Sequence, residues 1–226
     1  MPLATPSTGI EELVDESSGK EIVATQSVID KFADLTKKYD QFAVLTEYDW
    51  KRWLRNHVQE VVPPCDINIF LQQTREYENH KNYGFNTGIF ISQLIQNSYK
   101  AGNNDFEFDV ILLKPIDRLA SAVSGTEEQV VRVVVNGEVG NGCGSWAQHS
   151  TFTIEKTGDV CGQFAQHSTF TIEKAGNGCG FAAKNSTFKT HNSLQYERFK
   201  KSVSQDRSNE LYLLAVDGSI FNGGKW

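Results

Sequence analysis

Cys143, Cys161 and Cys179 stand 18 residues apart, and His149 and His167 each follow a cysteine by six. Thiolate and imidazole are the donors of zinc and of redox metals. The set therefore invites one reading as an accessory domain or small metal/redox enzyme using the Cys and His rows. Tetrahedral zinc wants donors that converge from short spacings such as Cys-x-x-Cys. A gap of six residues covers roughly 20 Å of extended chain, and stacking the copies makes a Cys row and a separate row of His149, His167 and Asn185. The spacing thus favours no metal at these five side chains and no cofactor. The thiols are expected to be reduced, buried fillers.

Other reactive groups carry weaker signals. Ser150, Ser168 and Ser186 recur with the same period, which marks a structural position rather than a nucleophile. Cys65, after Pro63-Pro64, has no neighbour in sequence that would activate it as a nucleophile, and burial is its expected use. The glycine-bearing run 137–144 lacks the lysine and the following helix of a phosphate-binding loop. Asp105, Glu107 and Asp109 share one face of an expected strand, where a solvated edge is the simpler account than a cation site. Trp50 and Trp53, three apart on an expected helix, read as core.

The elements that position these residues follow from the repeat. Residues 143–160 read CGSWAQHSTFTIEKTGDV, residues 161–178 CGQFAQHSTFTIEKAGNG, and residues from 179 CGFAAKNSTFKTHNSL. A fixed short period means stacked copies of one unit. Within a copy, Phe152 and Ile154 alternate with Thr151, Thr153 and Glu155, which is strand periodicity. Stacking predicts a structural ladder of Cys143, Cys161 and Cys179, of Phe152, Phe170 and Phe188, and of Ile154 and Ile172. Each fully buried side chain of this kind contributes about 1.5–3 kcal/mol. Thr151, Thr153, Thr169 and Thr171 then form outward pairs on successive copies. These are the candidate interaction face, and they resemble in small the threonine ranks of ice-binding proteins, although Lys189 and the flanking Glu155 and Glu173 break the pattern. Glycines after each Cys and at Gly158 and Gly176 supply corners.

Around the repeat the chain reads as follows. Residues 1–25 are expected to be a disordered tail. Residues 26–125 form a mainly helical region: a helix capped by Ser27 with Val28, Ile29, Phe32 and Leu35; a second from Tyr48 to Val61, with Thr46 and Asp49 as a loose capping box; and a third, capped by Thr87, carrying Ile89, Phe90, Leu94, Ile95 and Tyr99 up to Gly102. Ile67, Ile69 and Leu71 alternate like a strand, as do Phe106, Phe108 and Val110, and Pro115 opens a short helix through Val123. Residues 126–192 hold the repeats. Residues 193–226 supply a closing helix and a hairpin turning at Asp217-Gly218. The expected fold class is α+β: a short right-handed parallel β-solenoid of three 18-residue coils with a helical N-terminal part and a C-terminal helix and hairpin cap.

Val131–Thr190 resembles the GXGXG repeat found in the C-terminal domain of the glutamate synthase large subunit and in one of the subunits of formylmethanofuran dehydrogenase. Val133, Val135, Gly137, Val139, Gly140, Gly144 and Ala147 follow that order. The resemblance implies a right-handed solenoid with a structural role and no catalytic residues. The left-handed hexapeptide solenoid fits less well. Its best register, from Trp146 and Phe152 to Ala182 and Phe188, contains no Ile, Leu or Val.

Net charge is −6 and no long basic run occurs, so a nucleic-acid partner is not expected. Apolar stretches are too short for a bilayer, and the first residues lack a secretory pattern, so the expectation is a cytoplasmic protein without membrane contact. The function so read is unknown in detail: a non-enzymatic scaffold or protein-interaction module with a protein partner or self-association.

Overall fold

The structure is a computed structural model and describes residues 32–43 and 50–225. Its elements are α1 (Ala33–Ala43), α2 (Trp50–His57), α3 (Pro64–Gln73), a 3-10 turn (Thr74–Tyr77), α4 (Tyr83–Lys100), β1 (Asp105–Asp109), β2 (Val131–Val139), β3 (Ser150–Thr157), β4 (Thr169–Ala175), β5 (Thr187–Thr190), α5 (Ser193–Val203), β6 (Glu210–Leu214) and β7 (Ile220–Lys225). The tail, the Ser27 cap with Val28 and Ile29, and the Thr46–Asp49 box lie outside the described residues.

The expected α+β class, with a three-coil solenoid set between a helical part and a cap, is corrected. A single open sheet of seven strands runs in sequence order β1 to β7, parallel throughout except at β7, and helices flank it, so the class is α/β. The sheet does not stop at the repeats. Phe106 of β1 registers with Val133, Val133 with Phe152, Phe152 with Phe170, Phe170 with Phe188, and Phe188 with Leu211. All six are buried. A second inward row joins Phe108, Val135, Ile154 and Ile172. The cause is that β1 and β6 carry the same period-two alternation as the repeats, and a bare sheet edge recruits any strand that matches it.

Between strands the chain turns back through residues with left-handed backbone. Gly144, Gly162 and Gly180 have φ of 62, 64 and 72°, and Trp146, Phe164 and Ala182 have 58, 59 and 55°. Each turn hydrogen-bonds to the next: Gly162 N donates to Cys143 O at 2.9 Å and Gly180 N to Cys161 O at 2.8 Å. The expected short helix from Pro115 is a further copy of this turn. Ala120 and Ala122 take φ of 52 and 56°, Gly144 N donates to Leu119 O, and Gln148 N donates to Val123 O. Leu119 thereby heads the cysteine row and Val123 the row of Ala147, Ala165 and Ala183. Six extra residues before β2 hide this copy from the 18-residue period. Gly158 and Gly176 are not positive-φ corners. They are needed for close approach, since a Cβ at Gly158 would lie 2.3 Å from Asn141 Oδ1 and one at Gly176 2.1 Å from Asp159 Oδ1.

The helices cover the sheet's start. Ile67, Ile69 and Leu71 belong to α3, not a strand. Pro64 sits in its first turn, and Ile67, Phe70 and Leu71 face inward at helical spacing. The ring of Phe90 in α4 gathers Tyr39, Phe42 and Phe70 with centroids 5.2, 5.6 and 5.8 Å away. α3 binds the end of β1: Asp109 N donates to Asn68 Oδ1 at 3.2 Å, and Gln72 Nε2 donates to Asp109 O at 2.6 Å. The second helix ends at His57, earlier than the expected Val61, leaving Val61 exposed while Val58 stays buried. At the other end α5 presses Phe199 on Phe188, 6.2 Å between centroids, and Gln195 Oε1 accepts from Ala175 N. No helix among the described residues is long and apolar enough to cross a membrane.

Candidate functional site

The three thiols are free and buried, facing into the stack. Burial, foremost, pushes the Cys161 thiol well above its usual range. Its hydrogen bond with Cys161, followed by burial, does the same to Cys179. A thiolate is the reactive and metal-binding form, so this row is poorly suited to either role. His149 and His167 lie elsewhere, on the turns, stacked face to face with centroids 5.0 Å apart. Among the described residues no group of three or more His, Cys, Asp or Glu side chains converges as a metal would require. Only Cys65 of the four cysteines is exposed. A disulfide-exchange reagent is expected to modify one thiol in the native protein and four after denaturation. Rapid native modification of two or more would show that the row opens.

Ser150, Ser168 and Ser186 are fully engaged. Ser168 Oγ donates to Gln166 O at 2.8 Å and accepts from Ser150 N at 3.2 Å, and Ser186 repeats the pattern against Lys184 O and Ser168 N. Thr151 registers with Thr169 and Thr187, and Thr153 with Thr171 and Lys189. The first rank is flanked by the Arg132–Asp105 ion pair, at 3.3 Å, and by Glu210. Asp109 accepts from Asn136, and Glu155 Oε2 from Gly137 N. The outer face is thus a mixed polar surface two threonine ranks wide.

Two features stand apart from this consumed frame. The first is β7, last in the sheet and, among the described residues, hydrogen-bonded to a strand on one side only. Five of its six residues are exposed, and Ile220 and Phe221 are 62 and 75% accessible. The second is a cleft of about 630 Å³ where α2 and α4 meet the turn at 118–124. Trp50, Phe85 and Trp146 line it with Lys51, Arg118 and Gln148. Trp50, read from sequence as core, is half-exposed wall. Arg118 was hidden in a segment expected to be a helix. Its cation lies 4.9 Å from the centre of the Trp146 ring, and its Nη1 is shielded from solvent with no hydrogen-bond partner among the described residues. The only signal in sequence was an arginine at the turn position that Gly142, Val160 and Gly178 fill in the other copies.

What the described residues define is an α/β chain whose repeat residues are spent on packing, with an open sheet edge at β7 and a cationic, aromatic cleft. Compared with protein-family models, curated proteins and solved structures, the chain has no match in any of the three. The resemblance of Val131–Thr190 to the GXGXG repeat therefore rests on valine and glycine spacing alone.

Proposed function

We propose that the chain is a cytoplasmic, non-enzymatic scaffold or protein-interaction module that associates with a second copy of itself through β7. The carrying observation is the last strand, which among the described residues has no partner on its outer side: unpaired backbone groups beside exposed Ile220 and Phe221 are a template for another strand. An antiparallel two-fold pairing centred between Asn222 and Gly223 sets Phe221 opposite Gly224 of the second copy. A ring over a glycine fills the gap that the glycine leaves. Lys225 then faces Ile220, so no like charges oppose. Four free cysteines fit a reducing compartment. The repeat side chains contribute stiffness, and none converges on a shared reaction centre.

Light scattering tests this. The native protein is expected at twice the chain mass, and Phe221→Lys at the chain mass with an unchanged circular dichroism spectrum, because Phe221 is exposed and its loss leaves the core intact. A native protein that stays at one chain mass at high concentration, or a Phe221→Lys variant that still pairs, overturns the reading.

A further inference from the structure

We propose that the cleft between α2, α4 and the 118–124 turn binds a small planar aromatic anion, its ring packed against Trp50 and the edge of Trp146 and its charge held by Arg118 and Lys51. The volume of about 630 Å³ is that of a small-molecule site. Its charge runs against the chain as a whole. Net charge is −6, yet among the described residues of the lining both charged side chains are cations and no carboxylate joins them.

Arg118 is the strongest pointer. At its place in the turn the other copies carry Gly142, Val160 and Gly178, and all four residues take left-handed φ, 62° at Arg118. Glycine holds that backbone without penalty, whereas a side chain there costs about 1 kcal/mol. The arginine is therefore not required by the turn. Its stem runs across Gly142, where a Cβ would lie 2.9 Å from Arg118 Cδ, so the guanidinium is held in place. One face of it meets Trp146, which itself stacks on Phe164 at 5.4 Å and 18°. Nη1 is left with an unused donor out of solvent. A buried cationic donor without an acceptor is costly, and an oxyanion entering the cleft would supply that acceptor.

The remaining walls suit a ring. Trp50 stands edge-on to Phe85 at 6.3 Å, with Lys51 Nζ 5.1 Å from its centre. Ile89 closes the floor, and a narrower extension of about 110 Å³ continues past Leu54 and Gln96. The hydroxyls of Ser121 and Ser124 and the amide of Gln148 make no hydrogen bond among the described residues and stand ready for substituents. Aromatic faces and guanidinium planes together select flat, negatively charged molecules over cations and over aliphatic chains.

Calorimetric titration with 2-naphthoate and with AMP tests the site and separates its two sources, an aryl carboxylate and a nucleotide. At least one is expected to bind, and 2-naphthylmethylamine, of the same shape and opposite charge, is expected not to. Arg118→Gln and Trp146→Leu should each weaken binding by about tenfold or more. In NMR spectra the indole N–H signals of Trp50 and Trp146 should move, while that of Trp53 stays. Should Arg118→Gln fail to fold, Lys51→Gln at an exposed helix position serves instead, with a smaller loss expected. No binding by either anion at millimolar concentration, equal binding of the amine, or affinity indifferent to these substitutions overturns the proposal. Phe221→Lys should leave binding unchanged, so failure of the edge and failure of the cleft are read separately.

Discussion

Phe170→Ala is expected to lower the unfolding free energy by about 3–5 kcal/mol, read as a shifted midpoint in urea denaturation. Phe170 is fully buried at the middle of a ring column, 4.7 Å from Phe152 and 5.0 Å from Phe188, nearly parallel to both. Removing it takes away the transfer energy of its own ring and one face of each neighbour's contact. Collapse cannot refill the space, because strands on both sides fix the backbone by parallel register. The turns close over the same ring: a Cβ at Gly144 would lie 2.7 Å from Phe170 Cε1, and one at Gly162 3.0 Å from Cζ. Phe170→Leu keeps the rows filled and should cost clearly less. A Phe170→Ala loss below about 1 kcal/mol would mean that the column is not packed as described.

Gly88→Ala is the second large effect, and it acts by overpacking. Gly88 lies on α4 against the turn that bears Arg118. A Cβ there would stand 1.8 Å from the carbonyl oxygen of Asp117 and 3.0 Å from the carbonyl carbon of Arg118. Backbone cannot rotate aside as a side chain does, so helix and turn must part. The cost is expected at about 3 kcal/mol or more, the upper end for overpacking. The tie holding this contact, Ser92 Oγ accepting from Ser121 N at 3.0 Å, should break with it. Thermal denaturation reads the stability loss. Native-state hydrogen exchange should show faster exchange at Ser121. Gly102→Ala is the control, since nothing lies within 4 Å of its added Cβ. It should lose only the strain of a side chain on left-handed backbone, about 1–2 kcal/mol. A Gly88→Ala variant as stable as the native chain would place α4 elsewhere.

Much of the sheet's local detail could be read from residue order. Alternation at Phe106 and Phe108 and at Val131, Val133 and Val135 located β1 and β2, and Asp217-Gly218 located the turn before β7. Alternation could not decide that these strands share one sheet, because register between distant strands is settled by what each buries. Ile67, Ile69 and Leu71 misled for a related reason: three apolar residues two apart satisfy a strand, while Ile67, Phe70 and Leu71 satisfy a helix equally, and Pro64 with the neighbouring rings tipped the balance. The site was the least legible part. Arg118 has no motif around it, and Trp50 on a helix looks the same whether it meets core or cleft. Both become noticeable only when α2 and α4 are set against the first turn.

The amino-acid order by itself determined the repeat: its 18-residue period, its inward Phe and Ile, and the burial of its thiols, all because like side chains on stacked strands must meet like. The tertiary structure alone decided how far the sheet extends, that residues 118–125 form one more turn, and where a cleft is left. Those outcomes depend on contacts between segments far apart in the chain, whose energies have no trace in any local pattern.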